Sequence, residues 1–96
     1  MCQNELISNI IKEVAAVTDI NKDRIISKNR YVEVVDARHL AIYLMYCHHI
    51  PKHRIAEYFN LTYRNIHYIL EHFETRLSYG DVMLKTYLHD VEKKLK

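Results

Sequence analysis

Side chains that hydrogen-bond to base edges and phosphates are concentrated in residues 62–72 of this 96-residue sequence. Arg64 can donate two hydrogen bonds to a guanine, and Asn65 can pair with an adenine in a bidentate way. Tyrosine and histidine can bond a phosphate or pack against sugars. If the segment is helical, the N–H groups near Thr62 offer a further phosphate site. The candidate residues for a major groove are therefore Thr62, Tyr63, Arg64, Asn65, His67 and Tyr68.

Basic side chains from earlier stretches of the chain are candidates to lie beside this segment. Between Arg24 and Arg76 the chain has eight Lys or Arg against five Asp or Glu, and six of its seven histidines. The whole chain has a net charge of only +2, so a basic surface must come from local placement. The candidates to hold a nucleic-acid backbone are Lys28, Arg30, Arg38, Lys52 and Arg54.

Composition predicts an all-α fold of one domain, residues 1–96, built as a small bundle of about five to six helices. Gly and Pro occur once each, which is too few for the tight turns of a β fold. Asn4 is the predicted N-cap of the first helix. The third predicted helix is apolar around much of its circumference, which is typical of a central helix. Apolar periodicity predicts helices over residues 4–17, 21–27, 31–48, 51–59 and 63–77, and a last helix that starts at Gly80 and Asp81.

Residues 51–76 have the form of a helix-turn-helix. Pro51 suits the first turn of the shorter helix, and the small Ala56 allows the two helices to cross closely. Asn60 tolerates the left-handed backbone that a tight corner needs. Thr62 is the predicted N-cap of the second helix, which would then expose the base-reading candidates.

Nearly the whole chain, residues 7–95, resembles the C-terminal DNA-binding domain of the bacterial replication initiator DnaA. The most specific piece is the run VVDARHLAIYL at residues 34–44, which is similar to the family's valine pair, arginine and following helix. The segment IAEYF at residues 55–59 matches the family's first helix of the helix-turn-helix. The resemblance implies double-stranded DNA as the partner, in replication initiation, its regulation or transcription. It also implies that Lys28, Arg30 and Arg38 contact DNA at the minor groove and backbone.

The resemblance weakens at the start of the second helix. The family opens this helix with Arg-Asp-His-(Ser/Thr)-Thr-Val, whereas this chain reads LTYRNI at residues 61–66. The acid and the histidine that read bases in that family are absent, so groove use would carry over but the initiator's own DNA site would not. With a single Gly the chain has no glycine-rich phosphate loop, so we expect the DNA-binding module without its ATPase.

Other interpretations stay open beside this one. The eight tyrosines could form a docking surface, so a helical protein-interaction domain without nucleic-acid binding is the alternative; single-strand binding is a further one. Arg38 could instead pair with Glu33 or Asp36 on its own helix. Dimerisation through the last helix, or binding of a replication or transcription protein, is compatible with either function. Nothing in the pattern resembles a nucleophile–base or carboxylate pair, so we expect no enzyme.

Cysteine and histidine usage favours neither a metal site nor a disulfide. A cluster comprises Cys47, His48, His49 and His53. Pro51 interrupts the helical geometry between its histidines, and no second ligand pair has zinc spacing, so histidines near phosphates are the preferred interpretation. Cys2 and Cys47 are expected as reduced thiols of a cytoplasmic protein. With no signal-peptide pattern and no apolar run of membrane-spanning length, we expect no membrane partner and no cofactor.

Overall fold

The computed structural model describes residues 3–95 and contains six α-helices joined by short loops. In chain order they are α1 (Gln3–Thr18), α2 (Lys22–Ile26), α3 (Val32–Cys47), α4 (Lys52–Phe59), α5 (Tyr63–Ser78) and α6 (Val82–Leu95). No strand occurs in this stretch, so the all-α prediction is confirmed. Within it, no helix has the length and apolarity that a membrane crossing needs. Cys2, one of the two expected thiols, lies outside the described residues.

The central helix is α3, which packs against each of the other five helices. Seven of its residues are buried, and they lie around much of its circumference, as the sequence predicts. The first helix lies between α3 and α6 and has one apolar stripe. The buried residues of that stripe are Ile7, Ile10, Ile11 and Val14. Buried side chains from all six helices join in one hydrophobic core, so the helix-turn-helix rests on the remaining helices as a scaffold.

Arg76 connects three helices through two carboxylates. Its Nη1 donates to Asp36 Oδ1 on α3 at 2.8 Å, and its Nη2 donates to Asp81 Oδ2, just before α6, at 2.9 Å. Asp81 also caps α6, because its Oδ1 accepts the N–H of Leu84 at 3.1 Å. The hydrogen bond from Leu84 and those from Arg76 hold the pKa of Asp81 below its usual range. The C-terminal end of α5 is thereby attached to α3 and α6.

The corner between α4 and α5 contains the predicted left-handed residue. Asn60 has φ 55° and ψ 46°, which is the left-handed helical region. The N–H of Leu61 donates back to the carbonyl of Ala56 at 2.8 Å. The prediction for Thr62 is confirmed as well, because its Oγ1 accepts the N–H of Asn65 at 3.1 Å and caps α5. Three residues therefore connect α4 to α5, and the N–H groups of Asn60 and Leu61 are paired within the corner.

Two residues predicted to start helices have different roles in the structure. The first helix begins at Gln3, so Asn4 lies within it and is not its N-cap; its Oδ1 accepts a hydrogen bond from Arg54 instead. Pro51 has φ −61° and ψ 148°, so it is the N-cap of α4 and not a first-turn residue. Its carbonyl accepts the N–H groups of Arg54 and Ile55. The ring of proline fixes φ but leaves ψ to the surroundings, and ψ is what distinguishes the two positions.

The close packing of the helix-turn-helix can be tested at Ala56, which is buried. We expect Ala56→Leu to lower the free energy of unfolding by about 1–3 kcal/mol, because three added carbons have no space in a packed core. Ala16→Leu is the matched control, since Ala16 is exposed on α1 and its substitution should change stability by less than about 0.5 kcal/mol. Urea denaturation measures both variants. Equal stabilities would contradict tight packing at this position.

Candidate nucleic-acid interface

The fifth helix has one buried stripe and one exposed face. The buried residues are Ile66, Ile69, Leu70 and Phe73. On the opposite side Arg64, Tyr68 and Glu71 follow the helical spacing i, i+4, i+7 and are exposed, with Tyr63 and His67 exposed beside them. These five exposed residues are called the recognition face below. It includes four of the six residues that the sequence predicts for a major groove.

Several hydrogen-bond donors at the start of α5 have no acceptor within residues 3–95. Thr62 takes the N–H of Asn65, and the N–H groups of Tyr63 and Arg64 precede the first hydrogen bonds of the helix. The Arg64 guanidinium has no ion pair or hydrogen bond within the described residues. The side chain of Asn65 is exposed next to it. Backbone and side-chain donors are thus presented together at one helix end.

Lys52 lies at the beginning of α4 and reaches across to α5. Its Nζ is 3.1 Å from Nδ1 of His67. The same ammonium lies 5.4 Å from the ring centroid of Tyr46 and 5.9 Å from that of Tyr63. A hydrogen bond and two aromatic rings therefore hold this cation beside the first two turns of α5.

The basic loop, residues 27–30, is attached to the corner of the helix-turn-helix. Nζ of Lys28 donates to the carbonyl of Asn60 at 2.9 Å, although the two residues are 32 positions apart in sequence. An ammonium group has three N–H donors, so two remain for a phosphate. Arg30 is exposed and has no partner within the described residues. The loop therefore brings Lys28 to the corner that precedes α5, with the exposed Arg30 two residues further along the chain.

Arg38 holds the basic loop in position. Its Nε donates to the carbonyl of Ile25 at 2.8 Å, and its Nη2 donates to the carbonyl of Asn29 at 2.9 Å. Burial lowers the pKa of this half-buried guanidinium. Within residues 3–95 neither Glu33 nor Asp36 pairs with it, so the proposed pairing on its own helix is wrong. The geometry makes Arg38 a positioning residue, and the DNA contact that the resemblance implies stays a prediction.

Arg54 faces a different junction. Its guanidinium donates to Oε1 of Glu57 at 3.3 Å and to Oδ1 of Asn4 on α1. Within residues 3–95 no hydrogen bond or ion pair links it to α5 or to the basic loop. Of the five cations predicted for the backbone, Lys28 contacts the corner before α5 and Lys52 contacts α5, whereas Arg54 contacts Asn4 at the α1–α4 junction.

The histidines between α3 and α4 have backbone roles. His48 ends α3, and His49 adopts a left-handed backbone with φ 70°. Among residues 3–95 no group of three or more His, Cys, Asp or Glu is arranged to hold a metal ion. Burial raises the pKa of the Cys47 thiol, and it raises the pKa of Tyr43 to about 12. A protonated thiol is a poor nucleophile. The location of these histidines beside phosphates stays a prediction.

Glu71 belongs to this surface but is missing from the sequence-based candidates. Its Oε1 lies 3.2 Å from Nε2 of His67, and 68% of its side chain is exposed. The i, i+4 spacing of the two residues is the signal that could have found the pair. A carboxylate is not expected among residues that approach DNA, because phosphates repel it.

Two helices joined by a tight corner, with the second exposed and cations held beside it, define a helix-turn-helix protein of the DNA-binding class. A family model described as the bacterial dnaA protein helix-turn-helix matches residues 7–64. The match covers more than half of the chain, so the chain belongs to this family and the resemblance is confirmed. It ends at Arg64, two residues into α5. No curated protein matches the chain.

The positioning role of Arg38 can be separated from a role of its charge. Arg38→Met leaves the carbonyls of Ile25 and Asn29 without their donors, so we expect the free energy of unfolding to fall by about 1–3 kcal/mol. Arg30→Met removes an equal charge from the loop itself without breaking a hydrogen bond, and should change stability by less than about 0.5 kcal/mol. Urea denaturation measures both. If the two variants are equally stable, Arg38 does not hold the loop.

Proposed function

We propose that this chain binds duplex DNA with α5 in the major groove and with Lys52 and the basic loop on the flanking backbone. The observation that supports this best is the convergence of cations from separate stretches beside one exposed helix. Lys28 reaches the corner through the Asn60 carbonyl, and Lys52 reaches α5 through His67. A major groove about 12 Å wide admits one helix, and the flanking cations would then meet the phosphates on its edges.

The roles within this interface follow from side-chain chemistry. Arg64 donates in a pair to guanine, and Asn65 bonds adenine or a phosphate next to it. Tyr63 and Tyr68 pack on thymine methyl groups or bond phosphates, and the first-turn N–H groups receive a further phosphate. Lys28 and Arg30 neutralise phosphates without reading sequence. Binding, and not catalysis, is the activity that we propose for this surface.

We propose a DNA site different from that of the replication initiator, in a role in replication initiation, its regulation or transcription. The initiator's base-reading acid and histidine have no counterparts at residues 61–66. The family match includes Tyr63 and Arg64 but not His67, Tyr68 and Glu71 of the recognition face. Selection of bound sequences from a random duplex pool, at two salt concentrations, would identify the site.

Arg30→Ala tests the backbone contact. We expect it to weaken binding to every duplex about equally and to reduce the slope of log K against log salt concentration by about 1, because one phosphate contact is lost. Lys94→Ala removes the same charge from the exposed end of α6 and should leave both quantities unchanged. Fluorescence anisotropy on a random duplex measures both variants. Absence of any binding by the unaltered protein at low salt would end the proposal.

Arg64→Ala tests base recognition. We expect it to reduce the preference for the selected sequence by about 1–3 kcal/mol at one base pair, because a bidentate contact is lost, while binding to unrelated duplexes falls less. Competition between the selected duplex and single-base variants measures the preference. An equal loss on all sequences would assign Arg64 to the phosphates.

A protein-interaction domain is the second candidate, and an exposed apolar group favours it. Tyr79, Val82 and Met83 are 87%, 74% and 53% exposed at the junction of α5 and α6. Patches of this kind mark docking surfaces in many proteins. The two functions differ in their response to salt, because phosphate binding weakens steeply with added salt and apolar docking does not.

A further inference from the structure

A chain of close polar contacts crosses the recognition face from α4 to the third turn of α5. Nζ of Lys52 is 3.1 Å from Nδ1 of His67, and Nε2 of the same ring is 3.2 Å from Oε1 of Glu71. An ammonium group can only donate, so Nδ1 must be the acceptor. His67 therefore lies between a cation and an anion, with one ring nitrogen near each of them.

Glu71 lies on the line of the base-reading residues and not at the edge of the helix. Arg64, Tyr68 and Glu71 share the face opposite the buried stripe. Seven residues at a rise of 1.5 Å place Glu71 about 10 Å from Arg64 along the helix axis. That distance corresponds to about three base-pair steps of 3.4 Å, so both residues would face the floor of one major groove.

A carboxylate on a surface that approaches DNA weakens binding to every sequence, because it is repelled by the phosphates. The major groove offers it a favourable partner in the N4 amino group of cytosine, which donates to Glu or Asp. Guanine presents only acceptors at that edge, and thymine presents an acceptor and a methyl group. A carboxylate held in a fixed position therefore disfavours guanine and thymine, because its oxygen would face another hydrogen-bond acceptor on the base.

We infer that Glu71 is a specificity-determining residue that accepts a hydrogen bond from a cytosine amino group, with His67 as the positioning residue that orients its carboxylate. Nε2 of His67 lies 3.2 Å from Oε1, and the remaining acceptor sites of the carboxylate are left for the base. Lys52 fixes the ring that makes this contact. The inference rests on the proposed function, because it assigns one base position within the same groove.

Glu71→Gln tests the inference, with Glu74→Gln as the matched control. Both substitutions remove one negative charge from an exposed position on α5, but Glu74 lies on the side that faces the α3–α4 junction, next to Tyr46 and Pro51. The unaltered protein and both variants select sequences from the same random duplex pool, and dissociation constants are then measured for the selected duplex, its variant at the cytosine pair and a random duplex.

We expect the unaltered protein to prefer one C·G pair by about fivefold to a hundredfold, and Glu71→Gln to lose that preference while binding the random duplex more tightly. Glu74→Gln should keep the preference. His67→Ala should weaken the preference at this pair alone and leave the other selected bases unchanged. A general structural role of His67 would instead lower affinity without altering base identity at one position.

The possible failures are distinguishable. If the unaltered protein binds DNA and Glu71→Gln retains every base preference, the inference is wrong and the proposed function stands. If the unaltered protein binds no duplex, the proposed function and the inference fall together. Nitrogen-15 NMR of the free protein is a check without DNA: a proton on Nδ1 of His67 would contradict the hydrogen bond from Lys52 and the positioning role of the ring.

Discussion

The left-handed backbone of Asn60 sets the direction in which α5 leaves α4, and the rest of the candidate interface depends on it. The corner leaves carbonyl groups at the negative end of α4 that need donors. The N–H of Leu61 donates to the carbonyl of Ala56, and the ammonium of Lys28 donates to the carbonyl of Asn60. A cation at the C-terminal end of a helix is also favoured by the helix dipole. The contact that completes the corner is thus the one that brings the basic loop beside α5.

Two kinds of cation are present on this surface, and they differ in how they are held. Arg38 donates hydrogen bonds to the carbonyls of Ile25 and Asn29, so it fixes the position of the loop. Arg30 and Arg64 have no partners within the described residues and are available to a ligand. A loop that is ordered before binding loses less conformational entropy on binding. The paired Arg38 therefore supports the loop that carries the unpaired Arg30, although sequence alone presents the two arginines as equivalent charges.

The sequence predicts the features that depend on local chemistry. The left-handed Asn60, the capping by Thr62 and the central position of α3 all follow from side-chain type and apolar spacing. The features it does not predict depend on contacts between distant segments. Asn4 is a capping residue by type, yet it lies inside α1 and accepts a hydrogen bond from α4. Which carbonyls Arg38 reaches is likewise decided by how α2 and α3 pack, which no spacing rule contains.

The core and the recognition face of this fold are subject to different physical constraints. Residues 7–64 include α3, the corner and most of the core, where a substitution changes packing and therefore stability. The recognition face is exposed, so its residues can be exchanged at little cost to the fold. Only the apolar stripe of α5, with Ile66 and Phe73, is constrained by the core. A scaffold of this kind can retain the family's fold while the DNA sequence that it binds changes. Membership of the family therefore establishes how the helix is presented, but not which bases it contacts.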